Sequence, residues 1–136
     1  MEILKVKTEK RIIGDIGELA AVSFLKKSKY KIIEKSYVQS NTEIDIIAEN
    51  RDYIVFVEVK TRTVGKQSPC EPRPASSVTS DKQRKIINCA KYFLATFPKK
   101  KKVRFDIIEV LLNEKKEVVK LNHLDGAFNY NTAYRN

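Results

Sequence analysis

The sequence predicts an α/β domain, with a mixed central β-sheet of about five strands flanked by helices. Two segments carry apolar residues at a helical period, and five shorter segments are apolar in the manner of strands. Their order along the chain is helix, three strands, helix, two strands, which is typical of helices packed against one sheet. The chain has 136 residues, without an internal repeat or a visible domain boundary. Residues 1–136 are therefore expected to form a single domain.

The first half of the chain supplies one helix and three strands. Residues 1–10 are short and polar, and they are expected to be a tail. A helix is predicted over 11–27, where apolar residues recur at a helical period. Strands are predicted over 30–38, 43–48 and 52–61, and the polar turn "ENRD" joins the last two, which are the more strongly apolar.

A long loop separates the two halves of the chain. Residues 62–79 contain three prolines, one glycine and several serines. Loops of this length are usually functional or mobile. A second helix follows the loop; it is N-capped by Thr79 or Ser80 and runs to about Phe97.

The chain ends with a predicted pair of strands. The segments "VRFDIIEVLL", 103–112, and "EVVKLNHL", 117–124, are expected to pair as a hairpin. Residues 125–136 show no clear period and are expected to be a second tail.

The composition favours a polyanionic partner. The formal net charge is +10 and the isoelectric point is about 9.6. A domain this basic is attracted to nucleic acid first and to an anionic membrane surface second. No stretch approaches the roughly 18 apolar residues that span a bilayer, and "MEILKVKTEK" has no apolar signal-peptide core. The protein is therefore expected to be cytoplasmic and not bound to a membrane.

Few residue types remain for catalysis. Cys70 and Cys89 are 19 positions apart, outside any C-x-x-C arrangement, and are expected to be free thiols. His123 is the single histidine and is expected to be a structural surface residue. One histidine argues against His-rich zinc sites and Ser-His-Asp chemistry, so catalysis is expected to use carboxylates and lysines.

Charged residues interrupt the apolar strand at 52–61. Side chains alternate along a strand, so Glu58 and Lys60 share a face with Ile54 and Phe56. Both faces are apolar before Glu58, which predicts a central strand covered on both sides. A glutamate and a lysine on such a strand indicate a specific role.

The hairpin register predicts an acidic cluster on this face. A turn of two or four residues makes paired position numbers sum to 101, which sets Glu43 opposite Glu58 and Asp45 opposite Phe56. Three acids then lie near Lys60 and require a further cation or a shared proton. Oxygen ligands without nearby histidine or cysteine suit Mg²⁺ or Mn²⁺. A turn changed by one residue would move Glu43 and Asp45 to the other face.

Glu18 is a further candidate for this cluster. No basic residue lies three or four positions away on its helix, so no local ion pair accounts for it. Gly14 and Gly17 beside it would let the helix approach the sheet closely. Glu43, in contrast, is interpreted as an edge residue that pairs with a lysine.

Five segments in order resemble the YraN-like family of bacterial proteins. They are "GDIGELAA", "EIDIIA", "FVEVKTR", "DKQRKI" and "RFDIIEV", and they extend from about Gly14 to Val110. Within them, "TEIDIIA" and "VFVEVKTR" resemble the split acid–(Asp/Glu)-x-Lys motif of the restriction-endonuclease-like nucleases. The resemblance implies the restriction-endonuclease-like fold, similar to that of the archaeal Holliday-junction resolvases. The chain departs from the family pattern at Thr42, where glycine usually precedes "EID", and this departure bears on the bend into the strand.

The resemblance implies a role for each matching residue. Asp45 and Glu58 would ligate the metal, together with the backbone carbonyl of Val59. Lys60 would orient or activate the attacking water and screen developing charge. Glu18 would match the helix acid that contacts the metal through water.

Polar and basic residues of the second half are the remaining candidates. Gln83, or Lys82 beside it, would match the polar residue that lies near the site in the family. The run "PKKKKVR", 98–104, is interpreted as a phosphate-contacting patch rather than a solvated corner, and it is expected to help form a basic rim around the acidic site. The candidate nucleic-acid-binding residues are Arg62, Lys82, Arg84, Lys85, Lys99, Lys100, Lys101 and Lys102.

The leading functional hypothesis is an Mg²⁺- or Mn²⁺-dependent endonuclease that hydrolyses DNA, with branched or damaged DNA as candidate substrates. The alternatives are a nucleic-acid-binding module of the same fold with little or no activity, and an interaction module for a protein or RNA partner. Asp45, Glu58 and Lys60 together favour the first, since binding alone needs no acids next to phosphate. The likeness to junction resolvases implies a homodimer, because a two-fold axis would supply two sites.

Overall fold

The predicted α/β architecture is confirmed by a computed structural model, which describes residues 6–65 and 78–134. The strands form one sheet in the order β1-β2-β3-β4-β5; β3 and β4 are parallel and the other neighbours are antiparallel. This mixed sheet and its flanking helices are consistent with the restriction-endonuclease-like fold. The elements in chain order are α1 (Glu9–Lys27), β1 (Lys31–Gln39), β2 (Thr42–Glu49), β3 (Tyr53–Thr63), α2 (Ser80–Thr96), β4 (Lys102–Leu112), β5 (Val118–Phe128) and α3 (Tyr130–Ala133).

The central strand β3 is covered on both faces, as the sequence predicts. Val55 and Val57 pack in one cluster with Leu25 of α1. Ile54 and Phe56 pack in a second cluster on the α2 side. Because successive side chains of a strand point to opposite faces, the continuous apolar run of β3 serves both layers of the core.

Threonine caps set the starts of the two long helices. Thr8 accepts a hydrogen bond from the Arg11 backbone N–H at 3.1 Å, so α1 begins two residues before its predicted start. Thr79, rather than Ser80, caps α2 and accepts from the Lys82 backbone N–H at 3.2 Å. The helical part of the predicted N-terminal tail is thus the first turn of a capped helix.

The register of the β2–β3 hairpin differs from the predicted one by two residues. Ile47 pairs with Phe56 and Glu49 pairs with Ile54, so paired numbers sum to 103 and the prediction of 101 was wrong. The Asn50 side-chain oxygen accepts from the Asp52 and Tyr53 backbone N–H groups, which tightens the turn and keeps Glu49 in the ladder. A shift by an even number leaves the side chains of the paired residues, 46–49 and 54–57, on their predicted faces.

The prediction of a C-terminal tail from residue 125 was wrong for residues 125–134. β5 continues to Phe128, and α3 follows with an Asn129–Thr132 capping box. Ala133 is fully buried and its carbonyl oxygen accepts from Arg84 Nε at 2.7 Å, which ties α3 to α2.

Part of the predicted long loop can be assigned. β3 extends to Thr63, so the first two positions of the 62–79 segment belong to the sheet. Residues 66–77 and Cys70 lie outside the described residues. Cys89 is a buried free thiol, as expected.

A buried polar network joins β4, β5 and the end of α1. The fully buried Asp106 carboxylate accepts from Arg104 at 2.9 and 2.8 Å, from His123 at 2.7 Å and from the Gly126 N–H at 2.9 Å. Arg104 also donates to the Tyr30 hydroxyl at 2.6 Å. Burial raises the pKa of Asp106, but these hydrogen bonds together hold it below its ordinary value. His123 therefore has a structural partner.

We expect Asp106→Asn to lower the free energy of unfolding at neutral pH by about 3 kcal/mol, because it leaves the Arg104 guanidinium without its buried counter-charge. Because the pKa of Asp106 is lowered in the folded protein, its carboxylate stabilises the fold at pH values above the ordinary carboxyl pKa. This stabilisation is lost as the pH falls through the pKa of the folded state. Urea unfolding measures the change, and Asp125→Asn, an exposed neighbour on β5, is the control. Equal stabilities of the two variants would contradict the role of this network.

Candidate functional site: an acidic cleft between α1 and β3

An open cleft of about 860 Å³ lies between the N-terminal half of α1 and the end of β3. One wall is the face of α1 from Thr8 to Glu18, and the other is β3 from Val59 to Thr63. The floor carries the acids of β2 at Glu43 and Asp45.

The cleft begins where β2 separates from β3. Backbone pairing of the two strands extends only from Glu49 to Ile46 on β2. Beyond that point the Val59 N–H donates to the Asp45 carboxylate at 2.8 Å. Ile44 packs on the α2 side and Ile46 on the α1 side, although residues two apart normally share a face. β2 is therefore distorted at Asp45.

A strained residue of β1 faces this distortion. The register of β1 with β2 sets Ser36 opposite Asp45, and Ser36 has a left-handed φ of 53°. A non-glycine residue in this region costs about 1 kcal/mol. Such strain is concentrated at functional sites, and Ser36 also lines the cleft.

The cleft brings three carboxyl groups together, and a fourth lies beside one of them. Carboxylate oxygens of Glu18, Glu43 and Asp45 lie within 4.8 Å of one another. Glu58 does not line the cleft, but its carboxyl group lies close enough to Asp45 to raise the pKa of the Asp45 carboxyl. The register of the hairpin, extended by one step, sets Asp45 directly opposite Glu58 rather than diagonal to it.

The interpretation of Glu43 as a lysine-paired edge residue was wrong. Within residues 6–65 and 78–134, no lysine lies in ion-pair distance of Glu43. Its carboxylate joins Glu18 and Asp45 instead, because β2 bends at Asp45 toward α1. A bend of this kind is not visible in an alternating strand pattern.

The crowding raises the pKa of two of the acids, Asp45 and Glu18. Burial, followed by the charge of Glu58, raises the pKa of Asp45 to about 8, and the Val59 N–H offsets only part of this. Burial and the charges of Asp45 and Glu43 also raise the pKa of Glu18. Glu58 Oε2 is buried, and no donor among the described residues reaches it. Among the described residues, no lysine, arginine or histidine forms an ion pair with these acids.

Gly17 allows α1 to approach β3 at this point. A Cβ atom at Gly17 would overlap the Thr61 side chain, whose Cβ would lie only 2.8 Å away. Gly17 is buried and Glu18, the next residue, reaches the acidic cluster. The absent side chain of Gly17 therefore positions the carboxylate of Glu18.

Two predicted catalytic residues occupy different places. Lys60 lines the cleft beside Val59. The side-chain amide of Gln83 donates to the Val78 carbonyl at 3.0 Å, at the start of α2, and its Oε1 is buried without a partner among the described residues. Gln83 does not line the cleft.

The prediction that Lys99–Lys102 help to form a basic rim around the acidic site was wrong. Lys102 pairs with Tyr53 at the start of β3, about 20 Å along the strand from Val59. Lys99 lies 2.6 Å and Lys101 3.4 Å from the Glu49 carboxylate, at the same distant end. The parallel pairing of β3 and β4, which α2 connects, sends this run to the end of the sheet opposite the cleft.

The other predicted basic residues are dispersed. Arg84 bonds to the Ala133 carbonyl and lies over the Tyr134 ring at 5.5 Å, so its guanidinium is engaged in holding α3. Lys85 forms an exposed ion pair with Asp81 at 3.3 Å. Arg62 and Lys82 lie near the end of β3 and in the first turn of α2, respectively.

The donor set of the cleft fits a hard divalent cation. Its candidate ligands are carboxylate oxygens and the Val59 carbonyl, and no histidine or cysteine of residues 6–65 and 78–134 lines it. Mg²⁺ and Mn²⁺ prefer such oxygen ligands. The crowded acids and the unpartnered oxygen of Glu58 are both consistent with a positive charge at this position.

Fold and cleft together define an α/β domain with an acidic site at the split between two strands of its sheet. Residues 17–110 match the family described as uncharacterised protein family UPF0102. The chain belongs to this family, which confirms the resemblance to the YraN-like proteins.

Relatives of similar length support the family assignment. The chain is 44% identical over 124 residues to a UPF0102 protein of Caldanaerobacter subterraneus subsp. tengcongensis, which covers 90% of this chain and 98% of that protein. It is 41% identical over 120 residues to one of Caldicellulosiruptor saccharolyticus, with 88% and 98% covered. It is 36% identical over 121 residues to one of Chlorobium phaeobacteroides, with 85% and 93% covered. Among the described residues, no helix is long and apolar enough to cross a membrane.

We expect Gly17→Ala to lower the free energy of unfolding by about 1–3 kcal/mol, because the new methyl group forces α1 away from Thr61. Gly14→Ala is the matched control, since a Cβ there meets nothing within 4 Å and alanine favours the helix by about 0.5–1 kcal/mol. Urea unfolding of both variants makes the comparison. A Gly17→Ala protein as stable as Gly14→Ala would contradict the close approach.

We expect Asp45→Asn to stabilise the protein in the absence of metal, by about 2 kcal/mol or more near neutral pH. A raised pKa means that stability falls as pH rises from the ordinary value of 3.8 toward about 8. The increase in the free energy of unfolding that Asp45→Asn causes should therefore vanish near pH 4 and grow above it. Urea unfolding in EDTA across this range measures it, beside the exposed Asp52→Asn control, and a destabilised Asp45→Asn protein would contradict the crowding of the acids.

Proposed function

We propose that the protein is a metal-dependent endonuclease that hydrolyses DNA phosphodiester bonds in the cleft between α1 and β3. The observation that carries the proposal is the convergence of three carboxyl groups and Lys60 in one open cleft of a strongly basic protein, with the carboxyl group of Glu58 beside that of Asp45. Carboxyl groups whose pKa is raised cost free energy to ionise unless a cation binds beside them. Carboxylates that hold a divalent ion next to a lysine are suited to phosphoryl chemistry.

Asp45, Glu58 and the Val59 carbonyl would hold the ion, and Glu18 and Glu43 would complete the set of oxygen ligands. A bound Mg²⁺ or Mn²⁺ would polarise the phosphoryl oxygen and neutralise charge that develops in the transition state. The hydrogen bond from the Val59 N–H fixes the Asp45 carboxylate before any ligand arrives. Pre-organisation of this kind removes a reorganisation cost from the reaction.

Lys60 brings a positive charge to the cleft from the wall that β3 forms. Its position beside Val59 lets the ammonium group donate to the attacking water or to a phosphate oxygen. No covalent enzyme intermediate is required, since a water molecule positioned against the phosphorus completes the displacement. The reaction is therefore hydrolysis by direct attack of water.

A nucleic-acid-binding module with little or no activity is the second candidate. The net charge of +10 supports it, and so does the basic run at the far end of the sheet, since neither contributes to the acidic cleft. Binding through phosphates alone would not explain why Glu18, Glu43 and Asp45 converge in the cleft. The two candidates are separated by a cleavage assay.

We expect the purified protein to cleave one or more of linear, flapped, single-stranded and four-way-junction DNA with Mg²⁺ or Mn²⁺, and to cleave none with EDTA. Asp45→Asn and Lys60→Met should each lower the cleavage rate by about 100-fold or more. The first removes a charged metal ligand, and the second removes a positive charge that stabilises the transition state. The matched controls are Asp52→Asn and Lys102→Met, which change the same residue types at the far end of β3.

The pattern of losses decides between the candidates. Cleavage that survives in Asp45→Asn and Lys60→Met would come from a contaminating nuclease and would contradict the proposal. Salt-sensitive binding without any cleavage would favour the binding module. The preferred DNA would identify the substrate class.

A further inference from the structure

The charges of the cleft are separated into a negative floor and a mixed rim. Glu43 and Asp45 form the floor, and the carboxylate of Glu18 reaches them from the α1 wall. The rim on α1 carries Lys10 and Arg11 as well as acids. A polyanion that enters the cleft must overcome the repulsion of the floor, so free cations on the rim determine whether it binds.

Each acid of the α1 rim has a lysine partner outside the rim. Glu9 lies 3.3 Å from Lys116, at the turn between β4 and β5. Asp15 lies 2.9 Å from Lys7 and accepts a hydrogen bond from it. The two carboxylates that would cancel the positive charge of the rim are thus largely engaged.

The cations of the rim are available. Lys10 forms no ion pair with any residue in the part of the chain that the structure describes. Arg11 has only a long contact of 3.4 Å with Asp15, and its side chain is 74% exposed. Exposed pairs of this kind contribute little and are readily exchanged for a stronger anion.

We propose that Lys10 and Arg11 bind the phosphodiester backbone of the nucleic acid beside the cleavage point. The two residues precede Glu18 by seven and eight positions on α1, which corresponds to about 10–12 Å along the helix. That length equals about three nucleotides of one strand of B-form DNA. The identity of the polyanion rests on the proposed endonuclease function, whereas the residues follow from the cleft itself.

The side chains carry this binding, and the N-terminus of α1 does not. Thr8 accepts from the Arg11 backbone N–H and so satisfies one of the free donors of the first turn. Arg11 can present its guanidinium to phosphate oxygens in two parallel hydrogen bonds, and Lys10 adds a point charge. Both side chains lie on the cleft wall that faces β3. They take the place that the sequence assigned to Lys99–Lys102.

The test compares two pairs of cations on the same helix. Lys10→Gln with Arg11→Gln removes the rim pair, and Lys26→Gln with Lys27→Gln removes the pair in the last turn of α1, about 24 Å from Lys10. Binding of a fluorescent DNA duplex is measured by anisotropy in EDTA over a series of salt concentrations. All four side chains are exposed, so both variants are expected to stay folded, which circular dichroism checks.

We expect the rim variant to bind at least about tenfold more weakly and to show a salt slope smaller by about 1–2, one phosphate contact per cation lost. The last-turn variant should bind within about threefold of the original protein with an unchanged slope. Equal losses in the two variants would show that only overall charge matters and would overturn the proposal, as would an unchanged rim variant or salt-insensitive binding by the original protein. Failure to cleave DNA, with the rim dependence intact, would contradict the endonuclease alone.

Discussion

The hydrogen bond from the Val59 N–H to the Asp45 carboxylate is the interaction on which the site depends. It takes the place of backbone pairing between β2 and β3, which ends at Ile46 and Val57. A side chain thereby satisfies a backbone donor that would otherwise be left unpaired in the interior. The two strands can then diverge, and the space between them becomes the cleft. Metal ligation by the same carboxylate would leave this bond in place, since a carboxylate has a second oxygen.

Two costs accompany this arrangement. α1 must approach β3 so closely that Gly17 cannot carry a side chain. The acids that converge there repel one another, and the raised pKa values of Asp45 and Glu18 express a free-energy cost of ionisation in the metal-free protein. The Asp106 network lies away from the cleft, and together with the two apolar clusters it supplies the stability that offsets these costs. The α1-side cluster also borders the cleft, because Ile13 and Val59 belong to both.

The sequence predicts the sheet and the helices that flank it well, because both depend on local periodicity. The apolar run of β3 identifies a central strand, and the faces of Glu58 and Asp45 survive an error of two residues in register because two is the period of a strand. Glu43 is missed because the bend of β2 at Asp45 arises from tertiary packing. Lys99–Lys102 are misplaced because adjacency in sequence does not reveal which end of a parallel pair a segment reaches. The sequence does show two cations, Lys10 and Arg11, in the first turn after a threonine cap. That they line the cleft is visible only once α1 is docked against β3.

Crystals soaked in Mn²⁺ would test the central claim, that the cleft acids form a metal site, by anomalous scattering from the ion. We expect a peak within about 2.5 Å of carboxylate oxygens of Asp45 and Glu58, with the Val59 carbonyl as a further ligand. The same soak of Asp45→Asn crystals should give no peak in the cleft. A cleft without manganese in the original protein, or a peak that persists unchanged in Asp45→Asn, would contradict the account.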